Sequence, residues 1–185
     1  MNNQAFRTFI YLISSLLIIH STYILFITPF SNEYLSIASE AGTTVPRNIF
    51  VILKDIEQEI CLILFFWATF YLIEKIYFYR KTLDQKNLVP IESSIDKFDI
   101  DLSIVRYISW AIPSIGFIGT VRGIGEALTK ASEALAGDIS GMTDSLGVAF
   151  NSTFVALFLS IFLVLVISIA ENLQDQILLK KNSKH

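Results

Sequence analysis

The sequence predicts an all-α integral membrane protein with four transmembrane helices and no soluble globular domain. Hydrophobic residues make up 53% of its 185 residues, and the mean hydropathy is +0.57. A membrane-spanning helix needs about 20 predominantly apolar residues. Two uncharged runs, residues 8–32 and 145–170, meet that length on their own. Such runs are unusual in a soluble domain, so the composition favours a membrane fold.

Two further spans have shorter apolar runs. The run 60–73 is followed by Lys75 and Arg80, whose long side chains can reach the membrane interface and so extend the span. The run 107–121 ends at Arg122. The four spans are therefore predicted at about 8–30, 58–79, 107–128 and 145–170.

The first run could instead be a secretory signal peptide, with Ser36 and Ala38 as the small residues of a cleavage site. The apolar region of a signal peptide is about 7–15 residues long. Residues 8–32 form a longer run that ends well before Ala38. We therefore predict a retained first helix.

The predicted spans divide the chain into three regions. Residues 1–80 form an N-terminal membrane hairpin, 81–106 a cytoplasmic linker, and 107–185 a second membrane region with a short cytoplasmic tail. Outer loops are predicted at 32–59 and 130–144. None of these connections is long enough to bury a core of its own.

Two local features are predicted within the outer loops. The stretch 47–59, which follows an extended segment at 44–46, is amphipathic and is predicted to lead into the second span. Asp144 lies just before the last apolar run, where a carboxylate suits the start of a helix. It is therefore predicted to cap the last helix.

The distribution of basic residues predicts the orientation in the membrane, because cytoplasmic loops are enriched in Lys and Arg. With the N-terminus inside, ten of the 14 Lys and Arg residues lie on the cytoplasmic side: Arg7, Lys75, Arg80, Lys81, Lys86, Lys97, Arg106, Lys180, Lys181 and Lys184. Both termini are therefore predicted to be cytoplasmic. The net charge of −3, without a basic stripe that carries aromatic residues, argues against nucleic-acid binding.

Residues that could catalyse a reaction or hold a metal are scarce. Cys61 is the single cysteine, so no internal disulfide or cysteine metal site is predicted, and it is expected to be a small buried side chain. His20 lies mid-span, where a structural hydrogen bond is favoured over a proton relay. The sequence therefore predicts neither an enzyme nor a bound cofactor or metal.

The last two spans carry small and hydroxyl residues at steps of three and four, which places them on one helix face. They are Ser109, Pro113, Gly116, Thr120, Gly123 and Ala127 in the third span, and Ser145, Ala149, Ser152, Thr153, Ala156 and Ser160 in the fourth. Small faces let helices approach closely, and hydroxyls there can bond to neighbours or line a hydrated path. These stripes predict an assembled, ion-conducting membrane protein.

Two motifs on these spans resemble those of a known family. Residues Pro113 to Ile124, PSIGFIGTVRGI, resemble the P-x-x-G-x-x-G-T-V-x-G signature of the MotA/TolQ/ExbB proton channel family. Residues Ala149 to Leu157, AFNSTFVAL, resemble its second motif, in which an Ala and a Thr precede a small residue and a Leu. The resemblance covers about residues 106–170, with the motifs in the family's order.

The resemblance implies a ring-forming subunit of the bacterial inner (cytoplasmic) membrane. It implies a homopentamer around two helices of a single-span ExbD/TolR/MotB-like partner, whose transmembrane Asp binds the ion. Ion flow, of protons in preference to sodium, then drives mechanical work on that partner. By motif, Thr120 and Thr153 line the ion path, with Ser152 and Ser160 as neighbours. No carboxylate is predicted in the middle of a span of this chain, which fits an acid supplied by another chain.

The process that such a complex would power stays open. Motor stator subunits of flagella resemble the chain in having four spans, but they place a large cytoplasmic region between spans two and three. Transport-energising members usually have three spans, and defence-associated members often carry a long cytoplasmic tail. The chain departs from each subfamily in one of these respects.

The same residues also have purely structural interpretations. The residues assigned to helix packing are Pro113, Gly116, Gly119, Gly123, Ala149 and Ala156. Pro113 is expected to free a backbone carbonyl for a neighbour or water. Thr120 and Thr153 could bond to carbonyls one turn back. Arg122 is expected to pair with Glu126, in preference to facing a subunit boundary. The alternative function is therefore a non-conducting membrane scaffold. A solute transporter is disfavoured because no inverted repeat is evident.

Overall fold

The computed structural model describes residues 3–41, 48–84 and 91–182. All regular secondary structure in these ranges is helical. The helices follow in the order α1 (Asn3–Thr22), α2 (Thr28–Glu40), α3 (Ile49–Ile52), α4 (Ile56–Asp84), α5 (Ile91–Thr129), α6 (Ala131–Leu135) and α7 (Ser140–Asn182). A π-helical segment, Tyr23–Ile27, joins α1 to α2.

Four helical segments are long and apolar enough to cross a membrane, as the sequence predicts. They are Phe6–Ala38, Ile56–Lys81, Asp96–Thr129 and Ser140–Gln176. Large apolar side chains on them remain uncovered: Leu25, Phe154 and Ile161 are 65%, 62% and 68% exposed. An apolar surface of this extent is typical of contact with lipid or with other subunits. The all-α fold with four spans is confirmed.

The first span is a nearly continuous helical rod, Asn3–Glu40, so the loop predicted from residue 32 begins later than expected. Its π-helical segment ends two residues before Pro29, and the Thr28 N–H bonds to the Tyr23 carbonyl, five residues back. Proline lacks an N–H, and its ring clashes with the carbonyl one turn earlier. The wider π turn lets the rod pass this proline without ending.

A short helix and a break precede the second span, where the sequence predicts one amphipathic helix. The side-chain oxygen of Asn48 accepts a hydrogen bond from the N–H of Phe50 at 3.2 Å and so begins α3. α3 ends after one turn. α4 starts after Asp55, whose carbonyl accepts the N–H of Gln58 at 3.2 Å. Residues 44–47 of that prediction lie outside the described residues.

α5 and α7 are longer than the spans predicted within them. They have 39 and 43 residues, which at about 1.5 Å per residue makes them roughly 58 and 64 Å long. The hydrocarbon core of a bilayer is only about 30 Å thick. The predicted linker, 81–106, is therefore mostly helical, since α4 continues to Asp84 and α5 begins at Ile91. Residues 85–90 lie outside the described part of the chain.

The second predicted loop, 130–144, also contains helix, and its predicted cap is wrong. α6 is followed by Gly137, whose φ of 109° is a conformation that other residues rarely adopt. Asp138 accepts a hydrogen bond from the N–H of Ser140 at 3.1 Å and another from its hydroxyl. These bonds lower the pKa of Asp138. Asp138 therefore caps α7, and Asp144 lies inside the helix.

Successive spans pack antiparallel, and ion pairs mark the two ends of the bundle. α4 and α5 are joined by Glu57 and Arg122 at one end and by Lys75 and Asp101 at the other. We call these the Arg122 end and the Lys75 end. α7 returns along α5. The buried core between α4, α5 and α7 includes Ala68, Leu72, Leu102, Val105, Ile112 and Leu163.

Candidate functional site

Glycines let α5 and α7 approach backbone to backbone. A methyl group added to Gly116, Gly119 or Gly123 would lie within 3.0 Å of atoms of α7, a separation that real side chains essentially never show. At Gly116 these atoms belong to Ala156 and Ser152, and at Gly119 they belong to Ser152. At Gly123 they belong to Ala149 and Ser145. All three glycines are buried. Of the residues assigned to packing from the sequence, the five small ones therefore lie at this helix crossing: Gly116, Gly119, Gly123, Ala149 and Ala156.

Replacing Gly123 with Ala is expected to destabilise the subunit, whereas Gly125→Ala is expected to stabilise it. The methyl group at Gly123 would lie 2.7 Å from the Ala149 nitrogen and 2.8 Å from the Ser145 oxygen, both backbone atoms. Overpacking of this kind costs about 1–3 kcal/mol. At Gly125 nothing lies within 4 Å, so a gain in helix propensity of about 1 kcal/mol acts alone. Thermal unfolding in detergent measures both; destabilisation at both positions would contradict the expectation.

Thr120 and Thr153 meet where α5 crosses α7, and their hydroxyls are hydrogen bonded to each other. The Thr120 hydroxyl also lies 3.0 Å from the Ala149 carbonyl and 3.3 Å from the Gly116 carbonyl. The Thr153 hydroxyl lies 3.3 Å from the same Gly116 carbonyl. Each hydroxyl carries one proton, so several acceptors compete for it. Both threonines are partly exposed at the subunit surface.

Ser152 and Ser160 have different surroundings on α7. Ser152 is buried beside the threonine pair, and its hydroxyl donates to the Val148 carbonyl at 3.0 Å. Ser160 lies two turns further along, about 10 Å from Thr153 along the helix axis. The structure therefore brings Thr120, Thr153 and Ser152 together and places Ser160 apart from them.

Pro113 explains the contact that Ser160 makes. In a regular helix the N–H of residue 113 would bond to the Ser109 carbonyl, but proline has no N–H. The Ser160 hydroxyl donates to that carbonyl at 2.9 Å. The neighbour that takes up the carbonyl freed by Pro113 is therefore Ser160, which gives this serine a structural role in the subunit.

Ser160→Ala is expected to lower the free energy of unfolding by about 1–3 kcal/mol, because the Ser109 carbonyl would be left buried without a donor. In a Pro113→Ala background the helix can supply its own N–H to that carbonyl, so the same change should cost less than about 1 kcal/mol. Denaturant titration of the two single variants and the double variant measures this coupling. Costs that simply add would contradict it.

A charged cluster lies at the Arg122 end, next to the group formed by Thr120, Thr153 and Ser152. The Nε and Nη2 atoms of Arg122 bind the Glu57 carboxylate at 2.7 and 2.9 Å, and Nη1 binds Glu126 at 2.9 Å. Asp55 lies 3.5 Å from the same guanidinium. Burial raises the pKa of Asp55, although Lys54 and Arg122 oppose the shift. The predicted pair with Glu126 is confirmed, but the two-point bond joins Arg122 to Glu57 on another span.

Gln58, the residue after Glu57 of the charged cluster, bonds to Ser152 beside the threonine pair. It is 0% exposed, and its Nε2 donates to the Ser152 hydroxyl at 3.3 Å. The Cγ of Glu57 lies 3.2 Å from the methyl position of Gly119, which Ser152 also contacts. Sequence reasoning misses Gln58, because its partner is 94 residues away. The one available signal is its place three residues before Cys61, which is buried as predicted.

A family model for the MotA/TolQ/ExbB proton channel family matches residues 80–183, more than half of the 185-residue chain. The chain belongs to the MotA/TolQ/ExbB proton channel family. The resemblance carried by the two motifs is thus confirmed, and the four spans make this family member a multi-pass membrane protein. No curated protein and no solved structure matches the chain.

The match to the MotA/TolQ/ExbB family covers α5, α6 and α7, and with them both threonines. It begins after Glu57 and Gln58, which lie on α4. The polar contacts that α4 makes to this site are therefore properties of this chain that the match does not describe.

This MotA/TolQ/ExbB family member has a second buried polar contact at the Lys75 end. Lys75, whose long side chain was expected to let the second span extend, is only 7% exposed. Its Nζ lies 2.9 Å from one oxygen of Asp101, and the other oxygen accepts the Tyr71 hydroxyl at 3.0 Å. Asp101, one helix away, therefore offers the ammonium group a partner inside the protein, and the second span extends to Lys81.

The remaining carboxylates of the α4 span are also bound by basic side chains. His20 contacts Glu59 at 2.7 Å, which is the structural hydrogen bond predicted for this histidine. Arg7 contacts Glu74 at 2.7 Å. Among the described residues, no group of three or more His, Cys, Asp or Glu side chains is arranged to hold a metal ion.

Proposed function

We propose that the chain is a ring-forming inner-membrane subunit of a proton-driven channel and motor complex, in which ion flow does mechanical work on a partner protein. The pair formed by Thr120 and Thr153 carries this proposal. Its two hydroxyls share protons with the Gly116 and Ala149 carbonyls at a helix crossing. Both residues are partly exposed at the subunit surface, which supports a role facing an ion or a partner helix.

The acid that accepts the proton is proposed to lie on a single-span partner of the ExbD/TolR/MotB kind. In the α4 span, Glu57, Glu59 and Glu74 each bind a basic side chain already. A carboxylate held in this way is poorly placed to shuttle protons, since it would have to leave its partner in each cycle. A transmembrane Asp on another chain would supply the missing group.

The assembly and its orientation complete the proposal. We propose a homopentamer around two partner helices in the bacterial inner membrane, with both termini in the cytoplasm. The family match supports the assembly, and the ten Lys and Arg residues on one side support the orientation. The Arg122 end then faces outwards and the Lys75 end faces the cytoplasm. Protons are proposed in preference to sodium on the family match alone.

A non-conducting scaffold is the second candidate, and the glycine contacts favour it. The hydroxyls of Thr120, Thr153 and Ser152 all find partners inside the subunit. Packing alone could therefore account for the stripe. The two functions differ in what loss of a hydroxyl does, because a scaffold depends on shape and a channel also depends on the oxygen atoms.

The experiment is to purify the chain with its candidate partner, weigh the intact complex by native mass spectrometry, and reconstitute it around a pH-sensitive dye. A pentamer with bound partner that admits protons under an imposed gradient, well above the chain alone, is the expected result. An intact complex that passes neither protons nor sodium would favour the scaffold. Flux of sodium alone would show that the ion is sodium and would still support a channel.

A further inference from the structure

Gln58 has a buried side chain whose hydrogen-bonding groups are only partly satisfied within the subunit. The side chain is 0% exposed and lies in the first turn of the α4 span. Its nitrogen has a partner in Ser152, but its Oε1 has none among the residues that the structure describes. A buried acceptor without a donor costs about 1–3 kcal/mol. Buried polar groups of this kind commonly bind an internal water.

A second unpaired oxygen lies three residues earlier, on Asp55, which directly precedes α4. The Oδ2 atom of Asp55 is buried and has no hydrogen-bond partner among the described residues. Asp55 is at the N-cap position of α4 and Gln58 is the third helical residue, and the Gln58 N–H bonds to the Asp55 carbonyl at 3.2 Å. Side chains at these two positions of a helix start lie close to each other. Two acceptor oxygens without donors therefore occur together where α4 begins.

These oxygens lie in a series of polar groups that crosses three helices. On one side, Gln58 contacts Ser152, which precedes Thr153 of the threonine pair. On the other side, Glu57 is bound to Arg122, which also forms ion pairs with Asp55 and Glu126. Three carboxylates around one guanidinium leave an excess of negative charge, even with Lys54 nearby. Such a site attracts cations and the positive end of water.

The polar series ends one turn further along α4. Cys61 is 1% exposed and is packed in the apolar cluster with Ala68, Ile112 and Ala156. Its Sγ contacts the Ile112 carbonyl at 3.6 Å. The unpaired acceptors therefore mark a local site at the Arg122 end, and the apolar core begins directly beneath it.

We infer that Gln58 and Asp55 bind water between the Arg122 cluster and the threonine pair, and that this water forms the outer access segment of the ion path within each subunit. Gln58 Oε1 orients the water, and the Gln58 amide is bonded to Ser152, the residue next to Thr153 on α7. Gln58 is then a positioning residue for the translocated cation. The inference deepens the proposed function and rests on it for the direction of ion flow.

The first test asks whether a small cation reaches position 58, and it does not depend on conduction. Silver ions are added from outside to the complex carrying Gln58→Cys with Cys61→Ala, and the remaining thiol is alkylated after denaturation and counted by mass. The native chain, whose single thiol is Cys61, is the matched control. We expect silver to protect the thiol at position 58 at least about 10-fold faster than Cys61. Equal rates would overturn the inference.

The second test separates water binding from packing. Gln58→Met removes the unpaired acceptor at similar volume, so the melting temperature is expected to stay the same or to rise. Proton flux is nevertheless expected to fall by roughly 10-fold, because the water loses its acceptor. Gln58→Glu keeps an acceptor oxygen and is expected to conduct better than Gln58→Met. Wild-type flux in Gln58→Met would overturn the inference, whereas a wild-type complex without any flux would instead overturn the proposed function.

Discussion

Thr153→Val is expected to reduce proton flux through the assembled complex by about 100-fold or more, the effect that a positioned proton-transfer group commonly has. Valine fills nearly the same volume, so the contact with the Gly116 region of α5 is kept. The change removes the oxygen that Thr120 bonds to and that shares the Gly116 carbonyl. Thr120 keeps the Ala149 carbonyl as an acceptor, so the subunit should still fold.

Thr153→Ser is the matched control, because it loses a methyl group and keeps the hydroxyl. We expect it to retain most of the wild-type flux, and we expect both variants to purify with the partner in wild-type amounts. Flux is measured with a pH-sensitive dye inside liposomes under an imposed gradient. Wild-type flux in Thr153→Val would show that the hydroxyl serves packing, as the scaffold function requires.

Lys75→Met is expected to lower the free energy of unfolding by about 3–5 kcal/mol. The substitution would leave the Asp101 carboxylate without the ammonium group that lies 2.9 Å from it, in a site where Lys75 itself is only 7% exposed. The Tyr71 hydroxyl would remain as a donor, but a neutral group does not compensate a buried charge. Denaturant titration of the purified protein measures the loss.

Two control variants separate the buried charge from the loss of a contact. Adding Asp101→Asn to Lys75→Met removes the charge that Lys75 neutralises and should recover part of the stability. Arg106→Met breaks a pair with Glu171 whose side chains are 47% and 41% exposed, and exposed pairs contribute about 0–1 kcal/mol. Equal losses for Lys75→Met and Arg106→Met would contradict a special role for the buried pair.

The four spans could be predicted from sequence because each depends on a local property, the apolar character of about 20 successive residues. The full extent of the helices could not be predicted. α2 continues to Glu40 and α5 begins at Ile91, in polar segments that hydropathy assigns to loops. Outside the hydrocarbon core, a helix is continued by its neighbours' packing, and composition carries little signal for that.

Part of the candidate site could also be predicted, because helical periodicity places Gly116, Thr120 and Gly123 on one face and the motif singles out Thr153. The contacts that α4 makes to the site could not be predicted. The bonds from Glu57 to Arg122 and from Gln58 to Ser152 join residues 65 and 94 positions apart. They depend on which faces of three helices meet, and no spacing within a single helix reveals that. For the same reason, the sequence could not predict that Ser160 binds the Ser109 carbonyl, which Pro113 leaves free.

The central claim is that this chain supplies a hydroxyl-lined path and that another chain supplies the titrating acid. It is tested most directly by proton flux into liposomes that hold the complex, with the partner's transmembrane Asp either intact or replaced by Asn. We predict flux in the intact complex and none above background in the Asp→Asn complex, with both assembled to the same extent. Undiminished flux after that replacement would contradict the claim, because the acid would then have to lie within this chain.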